Sequence, residues 1–275
     1  MAKAIMIQGT GSHVGKSLLV TGLCRLFHKR GIRVAPFKAQ NMALNSYVTV
    51  DGKEMGRAQA TQAEAAGLLP SVDMNPVLLK ATSDTSAQVI ILGKPIGHMN
   101  VQGYRTFKPE AWEVIQAAYC RLAAAYDLIV IEGAGSPAEI NLKAHDIVNM
   151  RMAAFADAPV LLVGDIDRGG VFASFVGTWE LLEPEERERI AGFIINKFRG
   201  DASLLQGGID FLQARTGRPT FGVIPTLSGL RLPEEDGVAL EVGGREDKTA
   251  EIHIAVIRLP HISNFTDFDP FLLDP

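Results

Sequence analysis

Two cysteines in 275 residues are too few and too far apart for a disulfide framework or a thiolate metal site. Cys24 and Cys120 each fall inside a helical pattern, where a small buried hydrophobe is expected rather than a nucleophile or a bridge. Charge of one sign is not in excess either. Lys and Arg number 27 against 31 Asp and Glu, giving −4 and a pI near 5.9, so there is no basic footprint for nucleic acid. A polyanionic ligand must then be met by a local cluster. No apolar run approaches the ~20 residues that span a bilayer, and the N-terminus lacks the basic-then-apolar layout of a secretion signal. Internal repeats and low-complexity segments are missing too. These absences point to a reduced, cytoplasmic protein with neither a membrane nor a nucleic-acid partner. With 47% hydrophobic residues, the chain can still bury a sizeable core.

What is present begins at the stretch from Gly9 to Ser17. It follows the apolar run Ala4-Ile5-Met6-Ile7 and precedes the helical pattern of Leu18, Leu19, Leu23, Leu26 and Phe27. It therefore lies on a strand-to-helix turn, where a nucleotide phosphate loop belongs. Glycines let successive N–H groups turn inward, and the following helix adds its positive N-terminus. Gly11, Ser12, His13, Val14, Gly15, Lys16 and Ser17 are the phosphate-binding candidates, with Lys16 reaching the phosphates of ATP and the Ser17 hydroxyl ligating Mg²⁺. Five residues rather than four separate Gly9 from Gly15, a lengthened form of the loop.

Further along, apolar strand-like runs alternate with helical periods. This predicts an α/β fold, a doubly wound and mostly parallel sheet of the P-loop NTPase kind with helices on both faces. Ligands of such sheets bind at the carboxyl ends of the strands. After the strand Arg33 to Lys38 come Gln40, Asn41 and Asn45, polar candidates for substrate or Mg²⁺. A helix is expected over Met55 to Gly67, where Arg57, Gln59 and Gln62 either face a ligand or form a solvated face. Lys80, Lys94, Arg105 and Lys108 make the middle third locally basic, as surface charges or as holders of an anionic substrate. The run Leu128-Ile129-Val130-Ile131 delivers Glu132 at a strand end, the acid that Mg²⁺ near phosphates calls for. Glu139 on the next loop is a weaker candidate. A strand over 159–164 ends at Asp165 and Arg168, and the strand over 191–198 places the donor and acceptor of Asn196 where they suit adenine.

From Thr226 to Lys248 the chain turns polar and loop-like, which suggests a first domain over 1–230 and a linker over 231–250. Residues 251–275 open with a buried-strand pattern but are too short for a core of their own.

One combination of motifs consists of the loop, Phe37-Lys38-Ala39-Gln40-Asn41-Met42 with Asn45-Ser46, Gly56-Arg57-Ala58-Gln59-Ala60, Asn75-Pro76-Val77-Leu78-Leu79-Lys80, the run from Ile131 to Leu142, Asp165 to Ser174, and Asn196 to Asp201. In this order it resembles the cobyric acid synthase family. It covers nearly the whole chain. The resemblance implies an amidoligase domain of the dethiobiotin-synthetase type, with 251–275 as the start of a class I glutamine amidotransferase domain. It implies ATP-dependent amidation of the b, d, e and g carboxylates of adenosylcobyrinic acid a,c-diamide through acyl phosphates, in cobalamin biosynthesis, with ammonia from glutamine. It also assigns Lys38 to a phosphate or to the reacting carboxylate. Neither cysteine lies where the glutaminase nucleophile belongs, so this chain is expected to use free ammonia and not to hydrolyse glutamine. The corrinoid is the expected partner, and self-association stays open. A dethiobiotin synthetase would leave the 75–80 and 136–142 runs unexplained. A ParA or MinD type ATPase would want another lysine near Gly9 and Thr10. The sister amidase acting on the a and c carboxylates would want acids after Lys38.

Overall fold

The computed structural model describes residues 2–83, 85–227, 230, 252–257 and 262–273. In chain order, the first half comprises β1 (Lys3–Gly9), α1 (Lys16–Lys29), β2 (Val34–Phe37), β3 (Gln40–Met42), β4 (Ser46–Val48), β5 (Glu54–Gly56), α2 (Arg57–Ala65), β6 (Val77–Ser83), β7 (Ser86–Ile91), β8 (Lys94–Asn100) and α3 (Val101–Ala125). Then follow β9 (Leu128–Glu132), α4 (Met150–Phe155), β10 (Val160–Asp165), α5 (Val171–Leu181), α6 (Pro184–Arg189), β11 (Ile190–Phe198), α7 (Gln206–Thr216), β12 (Thr220–Pro225) and α8 (Pro270–Leu273).

Six parallel strands form the main sheet in the order β12-β11-β10-β1-β9-β2. Its central strands are apolar because both faces are covered, as parallel sheets require. Along β9, Ile129 and Ile131 face the cluster built with Trp112, Ile115 and Tyr119 of α3, while Val130 faces Val20 and Cys24 of α1. On the far side Phe175 of α5 meets Phe193 of β11, with ring centroids 5.0 Å apart. Strand order reverses around β1, between β9 and β10, and this is the crevice where doubly wound sheets bind ligands. The expected architecture is the one observed.

Beside it stands a second sheet, β3-β6-β7-β8, antiparallel except for the β3 and β6 pair. A small hairpin pairs β4 with β5. Residues 252–257 join no strand among the described residues and leave Ile252 78% and Ile257 82% exposed. Two expectations differ from the fold. The helix expected from Met55 begins only at Arg57, since Glu54–Gly56 is engaged as β5. Cys120 is exposed, whereas Cys24 is buried and its thiol is pushed up to about 12, first by burial and then by nearby Glu132. The proposed linker, 231–250, lies outside the described residues.

The segment 262–273 returns to the body of the fold. Asn264, in the left-handed conformation that asparagine tolerates, accepts from the backbone N–H and the hydroxyl of Ser46, both at 3.0 Å. Phe265 and Thr266 are buried beside it in sequence.

Candidate active site

The carboxyl ends of β1, β2 and β9 converge on one point, and the loop after β1 arches over it. Gly15 caps α1 with φ of +100°, and a Cβ there would collide with the Asn196 amide. Only glycine fits that position. Lys16 is buried and folds back, its Nζ donating to the Gly11 carbonyl at 2.8 Å and the Gly135 carbonyl at 3.0 Å. Asn196 Nδ2 donates to the Val14 carbonyl at 2.8 Å from beneath. The amide nitrogen is thus engaged by the loop backbone. Lys197, which the sequence did not single out, donates to the His13 carbonyl at 2.7 Å and pairs with Asp165 at 2.9 Å. Strands β10 and β11 thus brace the loop that β1 launches.

Glu132 sits under the loop, 1% exposed. Its Oε1 accepts from Ser17 Oγ and from Lys38 Nζ, both at 2.8 Å, and its Oε2 accepts from Gln62 Nε2 at 2.5 Å. Burial opposes the charge. The Lys38 ammonium, with hydrogen bonds from Lys38, Gln62 and Ser17, outweighs it and holds the carboxyl below its usual range. Three residues from three distant parts of the chain are brought together here, each delivered by a different element: Ser17 by the first turn of α1, Lys38 by the end of β2, Glu132 by the end of β9. An ionised carboxylate beside a hydroxyl is a donor set for a hard divalent cation completed by phosphate and water oxygens. Among the described residues no group of three or more His, Cys, Asp or Glu side chains is placed to hold a metal by itself.

A cavity of about 1240 Å³ opens in front of this centre. Ser12, His13, Lys16, Ser17, Lys38 and Glu132 form its phosphate-loop wall, and Gln40, Asn41, Glu139, Lys108, Arg168 and Lys197 lie on its other sides. Three expected substrate residues are not on its wall. Asn45 is wholly buried, the Arg57 guanidinium stacks 5.5 Å from the Tyr47 ring centre, and Asp165 is engaged by Lys197 and by the Asp167 N–H. Gln40 accepts from the Tyr104 hydroxyl at 2.5 Å. Gln59 and Gln62, read as ligand-facing or solvated, are neither, since both are wholly buried. Asn149 was also not foreseen. It clamps Ala134 through its N–H at 3.0 Å and its carbonyl at 2.7 Å, fixing the turn after Glu132.

A glycine-rich turn gripping its own lysine, a buried hydroxyl–carboxylate–lysine centre and a parallel sheet with a crevice at its switch point define a P-loop nucleotide-binding domain. Residues 5–238 match the family described as the CobQ/CobB/MinD/ParA nucleotide binding domain. The chain belongs to that family. It is similar to the cobyric acid synthase of Pelotomaculum thermopropionicum, 61% identical over 279 residues that take in all of this chain and 52% of that protein. The cobyric acid synthases of Desulforamulus reducens (62% identical, 98% of this chain, 53% of that one) and Klebsiella pneumoniae (58%, 100% and 54%) are also similar. The chain thus spans about half the length of the curated relatives it matches. Among solved structures, FtsY from Elizabethkingia anophelis has a TM-score of 0.45 at 19% identity, covering 81% of this chain and 58% of that one. Among the described residues no helix is long and apolar enough to cross a membrane.

Proposed function

We propose that this chain is the ATP-dependent amidoligase portion of a cobyric acid synthase, amidating the b, d, e and g carboxylates of a corrinoid a,c-diamide in the cytoplasm. The observation that carries the reading is the contact of Ser17, Lys38 and Glu132 beneath the phosphate loop, at the edge of a roomy cavity. The identity of 58–62% to cobyric acid synthases supports the choice of substrate.

The chemistry then follows from what the residues offer. Lys16, released from its two carbonyls, and the N–H groups of the loop hold the phosphates of ATP. Ser17 and Glu132 would hold Mg²⁺, which when bound neutralises charge on the phosphates. A substrate carboxylate oxygen attacks the γ-phosphorus, and the bond to the ADP oxygen breaks. Lys38, already facing a carboxylate, steadies the substrate oxygen or the transferring group. The lone pair of ammonia then adds to the carbonyl carbon of the acyl phosphate. The C–O bond breaks, inorganic phosphate leaves, and a proton is lost to give the amide. No side-chain nucleophile takes part, so the protein's contribution is position and charge. In the longer relatives glutamine would supply the ammonia.

The test is ATP turnover with Mg²⁺ and ammonium, with and without the corrinoid diamide, following the product by mass. Stepwise conversion of acid to amide, lost in Lys16→Met, is the expected result. ATP hydrolysis indifferent to the corrinoid would overturn the reading in favour of a switch ATPase, and activity on a diaminopelargonate-type substrate would favour a dethiobiotin-synthetase-like ligase.

A further inference from the structure

Helix α2 carries two glutamines three residues apart, Gln59 and Gln62, both wholly buried. Residues at this spacing lie on one face of a helix. Buried amides are costly unless their groups are satisfied, so two of them side by side next to a reaction centre call for a reason. Gln62 Nε2 meets both members of the metal-binding pair, donating to Glu132 Oε2 at 2.5 Å and to the Ser17 carbonyl at 3.5 Å. That leaves Glu132 Oε1 turned to the Ser17 hydroxyl and Lys38. Gln59 faces the other way along the helix. Its Oε1 accepts from Asn41 Nδ2 at 2.9 Å, and Asn41 lies on the cavity wall.

Two further observations join these halves. Among the described residues Gln59 Nε2 and Gln62 Oε1 have no hydrogen-bond partner. One is a donor and the other an acceptor, and a water reaching both would close a polar chain from Asn41 to Glu132. The fold also makes room for this arrangement. Gly56 precedes α2, and a Cβ there would press on Gln59 Oε1 and come within 2.6 Å of Asn41 Nδ2.

We propose that Gln62 is the positioning residue of the metal-binding carboxylate, and that Gln59 transmits the seating of the Asn41 loop to it. The inference rests on the reading of Ser17 and Glu132 as the metal pair. Partners that orient a metal ligand from behind typically change metal affinity by about 10- to 100-fold when removed. Gln62 acts through Glu132 and touches no reacting atom.

The experiment titrates Mg²⁺ against the whole chain with a non-hydrolysable ATP analogue, read by calorimetry. Gln62→Met, which keeps the volume but loses the donor, and Gln62→Asn, which keeps the amide but shortens its reach, are expected to need roughly 10- to 100-fold more Mg²⁺ for half-saturation. Analogue binding without Mg²⁺ should stay within about twofold of the parent, the scatter of independent sites. Gln59→Met should give a smaller shift, and none beyond that of Gln62→Met in the double variant. An unchanged Mg²⁺ requirement in both Gln62 variants overturns the proposal. So does an equal loss of metal-free binding, which would mark general damage. A Gln59→Met shift that adds in full to that of Gln62→Met overturns the link to the loop. If the parent itself binds the analogue without regard to Mg²⁺, the reading of Ser17 and Glu132 falls first, and the inference falls with it.

Discussion

The two sides of the cavity are built on different plans. The phosphate side rests on the parallel sheet, where β1, β9, β10 and β11 all contribute strand ends and the central strands are covered on both faces. The other side rests on strands of three residues, β3, β4 and β5, on one face of α2, and on an antiparallel sheet whose outer strand β8 is largely exposed. The first plan fixes charge to within a hydrogen bond. The second supplies shape, with amides such as Gln40 and Asn41 held by partners outside the phosphate loop. On the proposed reading, the chemistry common to ATP users falls on the sheet side and the discrimination of substrates on the assembled side.

The sharpest break in this contrast is Lys16→Met. It should lower amidation about a thousandfold or more by removing a preorganised charge from the transferring group, as measured by ATP turnover, and leave the melting curve nearly in place. Glu132→Gln should cut both function and fold. It removes the carboxylate that the buried Lys38 ammonium meets at 2.8 Å, for about 3 kcal/mol of stability in urea unfolding, and lowers turnover about a hundredfold through loss of the proposed metal ligand. Packing offers a third contrast. Ile131→Ala, at a wholly buried site of β9, should cost about 2–5 kcal/mol. Ile96→Ala, on the half-exposed edge strand β8, should stay within about 0.5 kcal/mol. Among the functional variants, Gln40→Ala should have the smallest effect. It should raise the KM for the corrinoid about tenfold, the worth of one good polar contact, while leaving that for ATP alone. A matching rise for ATP would erase the division between the two sides.

Legibility followed the same division. The parallel strands could be read directly, because burial on both faces makes them continuous apolar runs and their ends announce themselves as Gly9, Glu132 and Asp165. The contiguous loop was equally plain. The antiparallel sheet was harder to read. Strand β8 in particular gives no signal, since Lys94–Asn100 is mostly exposed and carries no alternation. The 25-residue helix α3 was obscured by Gly103 and by Pro109 inside it. Gln62 and Lys197 act through partners 70 and 32 residues away in sequence, and no local pattern announces such a pairing. The strand pattern that opens 251–275 was legible too, and the described part of it, 252–257, joins no strand. A β pattern is an offer of pairing, and among the described residues nothing accepts it.

The posture of Lys16 bears on how quickly and how selectively an anion is received. A surface lysine that grips a phosphate must surrender rotamer entropy worth about 2 kcal/mol at that moment. Here the side chain is buried and already held by the Gly11 and Gly135 carbonyls, so folding has removed much of that freedom in advance. On the proposed reading, an arriving phosphate exchanges carbonyl dipoles for a full negative charge at a side chain whose freedom folding has already reduced. The exchange of partners favours anions strongly and neutral ligands hardly at all.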